Sequence, residues 1–163
     1  MLFRSRIAEY RRGTLLAINK WDLIEKDSQT AKAYELSLKL HLRIYDYVPI
    51  VFISALKKIR VLNVIEHAKK IHAEQTKRIT TNKLNKVMLQ VIQAHPPSSK
   101  RGKDIKINYI TQVKTDAPAF SFFANYPEEV DDNYKRFLER KMREHFGFVG
   151  VPQIGRASCR ERV

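Results

Sequence analysis

The chain reads as α/β, with two short buried strands each followed by a helix and then a separate, smaller α+β unit. Three observations predict this. Residues 14–18 and 50–53 are short apolar runs, the mark of strands covered on both faces. The segments after each run repeat their apolar residues at helical spacing. Near Lys77 the rhythm changes to helix–strand–strand–helix–strand.

Each element follows in order. Thr14-Leu-Leu-Ala-Ile18 is the first strand, and Asn19-Lys20-Trp21-Asp22 lies at its C-terminal end. A helix is expected from about residue 30 to 47, with Tyr34, Leu38, Leu42 and Tyr45 on one face. Pro49 introduces the second strand, which ends in Ser54-Ala55-Leu56. A helix over about 61–75 should bury Val61, Val64, Ile65, Ala68 and Ile71. In the second unit, Thr80 or Thr81 caps a helix that buries Leu84, Val87, Met88, Val91 and Ile92 and stops before Pro96-Pro97. Residues 105–113 alternate, which puts Ile105, Ile107 and Tyr109 on one side of a strand. Residues 119–125 form a Phe-rich strand, Asp131 or Asp132 caps the last helix, and Val151 opens a third strand.

The 163 residues carry 31 Lys+Arg against 17 Asp+Glu, a net charge of +14. Such a balance suits a polyanion and argues against a wholly disordered tail, because 44% of the chain is apolar. No run approaches the roughly 20 apolar residues of a membrane span, and no amphipathic helix pairs a basic face with a Trp/Leu face. The N-terminal ten residues mix Arg with apolar residues and build no secretory core. One cysteine forms no internal disulfide, which points to the cytoplasm. The five histidines show no metal-ligand spacing, so no metal site is expected.

Asn19-Lys20-Trp21-Asp22 carries the chemistry. Ligands of open α/β sheets bind beyond the carboxyl ends of the strands, where this tetrapeptide lies. An Asp carboxylate accepts two hydrogen bonds from the N1–H and N2–H₂ edge of guanine, an edge adenine does not present. A capped turn is the alternative for an isolated N-K-x-D. Ser54-Ala55-Leu56, 32 residues after Asp22 at its first residue, weighs against it, because loops ending two adjacent parallel strands meet over one base.

NKWDL followed by VPIVFISAL resembles the fourth and fifth guanine-recognition motifs of translation-factor-class GTPases. Residues 78–85, Ala94-His-Pro-Pro97, residues 106–113 and residues 137–144 then resemble the C-terminal region of the Der (EngA) family. Those GTPases carry two tandem G domains and a C-terminal KH-like domain, and act in large-ribosomal-subunit assembly. The resemblance covers about residues 7–153. It implies that 7–76 is the end of a P-loop GTPase-type parallel sheet and 77–153 a KH-like domain of order α-β-β-α-β. It also implies guanine contacts by Asn19, Lys20, Trp21, Asp22, Ser54, Ala55 and Leu56. GTP or GDP and Mg²⁺ would be bound by the parent, with the Mg²⁺ ligands outside this chain. The precursor of the large subunit and its rRNA would be the partner of a monomer, without DNA specificity.

No G-x-x-x-x-G-K-[ST] occurs in the sequence, so the chain alone is expected to hydrolyse no GTP. Residues 1–5 and 154–163 read as translated adapter DNA, so 1–6 and 154–163 are expected to be a non-native leader and tail. Without Arg4, Arg156, Arg160, Arg162 and Glu161 the net charge is still +11. Basic residues crowd the second unit, and Lys100, Arg101, Lys103 and Lys106 are candidate RNA contacts near its first strand. A KH clamp is a G-X-X-G loop. The one pair at that spacing, Gly147 and Gly150, follows the last helix instead, so contacts to shape and charge are expected rather than base reading. Tyr109, Phe120, Phe122 and Phe123 could stack on bases, but strand spacing in so small a unit predicts core. A free-standing basic RNA-binding or docking module without nucleotide dependence is the alternative function.

Overall fold

The computed structural model describes residues 12–24, 30–42, 46–98, 102, 104–113, 117–152 and 154–158, with backbone alone for 41, 42 and 154–158. Tyr45 of the expected first-helix face, and with it Lys100, Arg101 and Lys103, lie outside the described residues. The chain divides into two compact units, one ending at Gln75 and also taking in Phe148–Pro152, the other resuming at Thr76.

The first unit contains β1 (Leu16–Ile18), a 3₁₀ turn (Trp21–Leu23), α1 (Thr30–Leu42), β2 (Ile50–Phe52) and α2 (Val61–Thr76). The strands pair in parallel, Leu16 with Ile50, Ala17 with Val51 and Ile18 with Phe52. β2 is the better covered of the two, with Val51 and Phe52 buried. Helix α1 is described as far as Leu42, and a turn at Asp46–Tyr47, where the periodicity suggested helix, precedes β2.

Of the five residues expected on the buried face of α2, Ile71 alone is fully buried. Ile65 is 52% exposed, Val61 and Ala68 are also exposed, and Val64 is half-buried. The helical period is right, but a two-stranded sheet offers too little surface to cover the whole stripe.

Ile71 is fixed by two glycines. A Cβ on Gly13 would lie 2.4 Å from Ile71 Cγ2, and one on Gly150, at φ +73°, would lie 2.7 Å from Ile71 Cγ1. Residues 148–152 thread into this unit by three hydrogen bonds. Phe148 N–H donates to Glu74 Oε2 (2.6 Å), Thr14 N–H to the Gly150 carbonyl (2.7 Å), and Gly150 N–H to the Tyr47 carbonyl (2.6 Å). Phe148, Val151 and Val48 are fully buried here. Val151 therefore does not open a strand, and these five residues group with the first unit rather than with the KH-like segment.

The second unit runs α3 (Thr81–Ala94), β3 (Ile107–Val113), β4 (Ala119–Ala124), a 3₁₀ turn (Pro127–Glu129), α4 (Asp132–Phe146) and β5 (Ile154–Ser158). This is the α-β-β-α-β order expected of a KH-like domain. The sheet order is β3-β4-β5, with β3 antiparallel and β5 parallel to β4. The third strand thus falls at Ile154–Ser158, inside the stretch that reads as adapter-derived. Ladder pairing engages backbone N–H and C=O groups, so it does not require a native side-chain pattern.

The core joins α3 (Leu84, Met88, Ile92), α4 (Leu138, Met142, Phe146) and the inner sheet residues Ile107, Ile110, Phe120, Phe122 and Ala124. Thr80 occupies the N-cap of α3 without a side-chain bond, while Asp131 caps α4 by accepting from Asp132 N–H. Gly147 ends α4 at φ +89°, and its N–H donates to the Arg143 carbonyl.

Strand β3 departs from the alternation. Ile105 and Ile107 are buried, but the register shifts between Ile107 and Tyr109, so that Ile110 enters the core and Tyr109 turns outward. A β-bulge inserts one residue and moves every later side chain to the opposite face.

Candidate functional site

Parallel pairing of β1 and β2 brings residues 19–22 beside residues 53–55. Ile53 N–H donates to the Ile18 carbonyl (2.8 Å) and Trp21 N–H to the Ile53 carbonyl (3.0 Å). Asn19 then joins the loops, its Oδ1 accepting from Lys20 N–H (2.8 Å) and Ala55 N–H (3.0 Å). An atom that receives two N–H donors must be the amide oxygen, which settles the orientation of the side chain. Its NH₂ makes no hydrogen bond among the described residues and is left to donate to a ligand.

Lys20 takes the left-handed conformation (φ 61°, ψ 30°), which turns the chain into the 3₁₀ turn. Trp21 anchors that turn. It is 5% exposed, stacks on Phe52 at 4.1 Å and 30°, and meets Tyr34 of α1 edge-on at 5.6 Å. Its ring is spent on packing, so it supports the loop without facing a ligand.

Asp22 is the chemical centre. Its side chain is 8% exposed and carries an ion pair with Lys57 (Nζ–Oδ2 3.7 Å). The Ser54 hydroxyl bonds to the carboxylate and is the main reason its pKa lies below the ordinary value, with the Lys57 charge acting in the same direction. Ser54 is itself 1% exposed, and its Oγ accepts from Lys57 N–H (3.2 Å), which leaves the hydroxyl proton for Asp22. The arrangement holds a carboxylate ionised and aimed, as a pair of acceptors for adjacent N–H donors requires.

Beyond Ser54 the chain closes a small loop, with reciprocal Ser54–Ile59 backbone bonds and the Lys58 N–H donating to the Ala55 carbonyl. Lys58 (φ 54°) and Arg60 (φ 56°) both adopt the left-handed region. Leu56 is 88% exposed, and the Ala55 N–H is taken up by Asn19. The structure thus brings Asn19, Lys20, Asp22, Ser54 and Ala55 together and sets Trp21 beneath them. Sequence reasoning missed Lys57, whose only signal was a cation three residues after Ser54.

In the second unit, Lys106 is exposed before β3, and its N–H donates to Asn125 Oδ1 (2.8 Å). Gly147 caps α4 and Gly150 belongs to the first unit, so the pair forms no clamp. Among the described residues no group of His, Cys, Asp or Glu has the arrangement of a metal site, and no helix is long and apolar enough to cross a membrane.

Parallel strands with an Asn–Asp loop at their ends, joined to an α-β-β-α-β unit, define a GTPase-type α/β segment followed by a KH-like domain. Residues 78–154 match the family described as the KH-domain-like C-terminal part of EngA bacterial GTPase enzymes. The chain is 52% identical over 145 residues to GTPase Der of Chloroherpeton thalassium, covering 89% of this chain and 33% of that protein. It is 45% identical to the GTPase Der proteins of Chlorobium luteolum (88% and 33% covered) and Flavobacterium psychrophilum (87% and 33%). The chain belongs to the Der (EngA) family and corresponds to its C-terminal part. It spans about a third of the length of the curated relatives it matches.

Proposed function

We propose that this chain supplies the base-reading half of a guanine-nucleotide site, and an RNA-facing basic domain, to a cytoplasmic Der-type GTPase of large-subunit assembly. The observation that carries the nucleotide part is the Asp22 carboxylate, paired with Lys57 in the same loop cluster as an Asn19 amide whose oxygen is fixed by Lys20 and Ala55 N–H and whose NH₂ is available. Guanine presents N1–H and N2–H₂ to the carboxylate and acceptors on its other edge to the amide, and the Lys20 stem lies along the ring. These residues fit GTP or GDP at the base alone. Phosphates and Mg²⁺ would be held by residues of the parent outside this chain, where Mg²⁺ supplies charge neutralisation for phosphoryl transfer.

The RNA part rests on charge. Between residues 77 and 153, fourteen Lys and Arg face eight Asp and Glu, and a basic domain of this kind favours phosphate backbones.

The nucleotide reading is tested in the full-length Der-type protein with Asp22→Asn. One acceptor oxygen becomes a donor, so guanine loses one or two hydrogen bonds and xanthine, with a carbonyl at C2, gains one. Loss of a bond to a charged group costs about 1.5–3 kcal/mol, so GTP affinity should fall roughly 10- to 100-fold and XTP affinity rise. Unchanged GTP affinity would show that this loop does not read the base.

A further inference from the structure

We infer that the outer face of the β3–β4 sheet is a stacking platform for single-stranded RNA bases, carried by Tyr109 and Phe123. This rests on the reading that the second unit meets RNA, and adds where and how bases are held.

The bulge after Ile107 is what creates the platform. It turns Tyr109 out of the core, where it stands 46% exposed directly across from Phe123. The two rings lie 5.5 Å apart at 53°, with Phe123 half-buried and propping the tyrosine. The Tyr109 hydroxyl makes no hydrogen bond among the described residues. The next cross-strand pair on this face is Thr111 with Ser121, both half-buried, which places two hydroxyls one step along the sheet from the aromatic pair. Exposed Lys106 and Asn108 precede Tyr109 in the chain.

Rings beside hydroxyls and amides, in a unit with six more cations than anions, suit stacked bases joined by phosphates better than an aliphatic protein surface. The platform is also rigid. Asn85 and Gln112 hold β3 through four side-chain hydrogen bonds of 2.7–2.8 Å, so little order remains to be gained on binding.

The test uses the full chain and two labelled ten-nucleotide probes of equal charge, an oligouridylate and its abasic counterpart, followed by fluorescence anisotropy at fixed salt. Stacking predicts that the base-bearing probe binds roughly tenfold more tightly. Tyr109→Ala should reduce it to the abasic level, and Tyr109→Phe should retain the difference. Tyr109→Leu, which keeps apolar bulk without a π-face, carries the same test if the alanine variant melts early. Equal binding of the two probes would overturn the platform while leaving the electrostatic reading of the domain in place. A loss with Tyr109→Phe as large as with Tyr109→Ala would also overturn it. Failure of both probes to bind would overturn the platform and the RNA reading together.

Discussion

Asp22 and Ser54 form a single chemical unit, and pH separates their contributions. The folded-state pKa of Asp22 lies below its ordinary 3.8, with the Ser54 hydroxyl as the first cause. A depressed carboxylate pKa contributes stability above the unfolded value, and that contribution is lost as pH falls through the folded pKa. Ser54→Ala should therefore raise the Asp22 pKa toward 3.8 and move the acid-unfolding limb of the chain upward in pH. A carboxyl-carbon NMR titration reads the first effect directly, and an unmoved pKa would remove Ser54 from the role assigned to it. Four residues after Ser54 in the same loop, Lys58 holds a left-handed conformation that costs an L-residue with a Cβ about 1 kcal/mol. Because Lys58 is exposed, Lys58→Gly sacrifices no packing. It should raise the melting temperature of the chain by a few degrees, less whatever the added flexibility of the unfolded state takes back.

Strand β3 is the element where local pattern and structure part. It is an edge strand, and its free side is closed by a side chain rather than another strand. Asn85 of α3 accepts from Ile110 N–H and donates to the carbonyls of Ile110 and Thr81. Gln112 does the same for the chain ahead of α3, accepting from Ile79 N–H and donating to the Lys77 carbonyl. Closed edges resist pairing with another chain. Asn85→Ala leaves Ile110, whose side chain is fully buried, without either partner. Denaturant unfolding should show a loss of about 1–3 kcal/mol, the cost of unsatisfied buried polar groups. Aggregation should increase in parallel, and unchanged stability would mean water serves the strand equally well. Helix α2 makes the complementary point. Its helical period was readable, yet Val61 and Ile65 of the expected stripe are exposed, because burial depends on what faces a helix and periodicity does not encode the facing surface.

At the scale of the whole chain, charge dominates. A net +14 predicts that RNA binding weakens linearly on a log–log plot against salt, with a slope of about −0.7 to −0.9 for each phosphate neutralised. Titration of the chain against a structured RNA between low and moderate salt measures this, and a flat response would exclude a phosphate-led mode. Much of the molecule was determined by sequence alone: the α/β class, the helix–strand–strand–helix–strand order, and Leu84, Met88 and Ile92 as the buried residues of α3. Those features depend on local periodicity, which is written in a few neighbouring residues. Tertiary structure alone decided the rest. It spent Trp21 on Phe52 and Tyr34, seated residues 148–152 in the first unit, moved the third strand to Ile154–Ser158, and turned Tyr109 outward while Phe120 and Phe122 stayed in the core. Each of these depends on partners tens of residues away, and a one-residue slip in a ladder reverses every face without altering the local pattern.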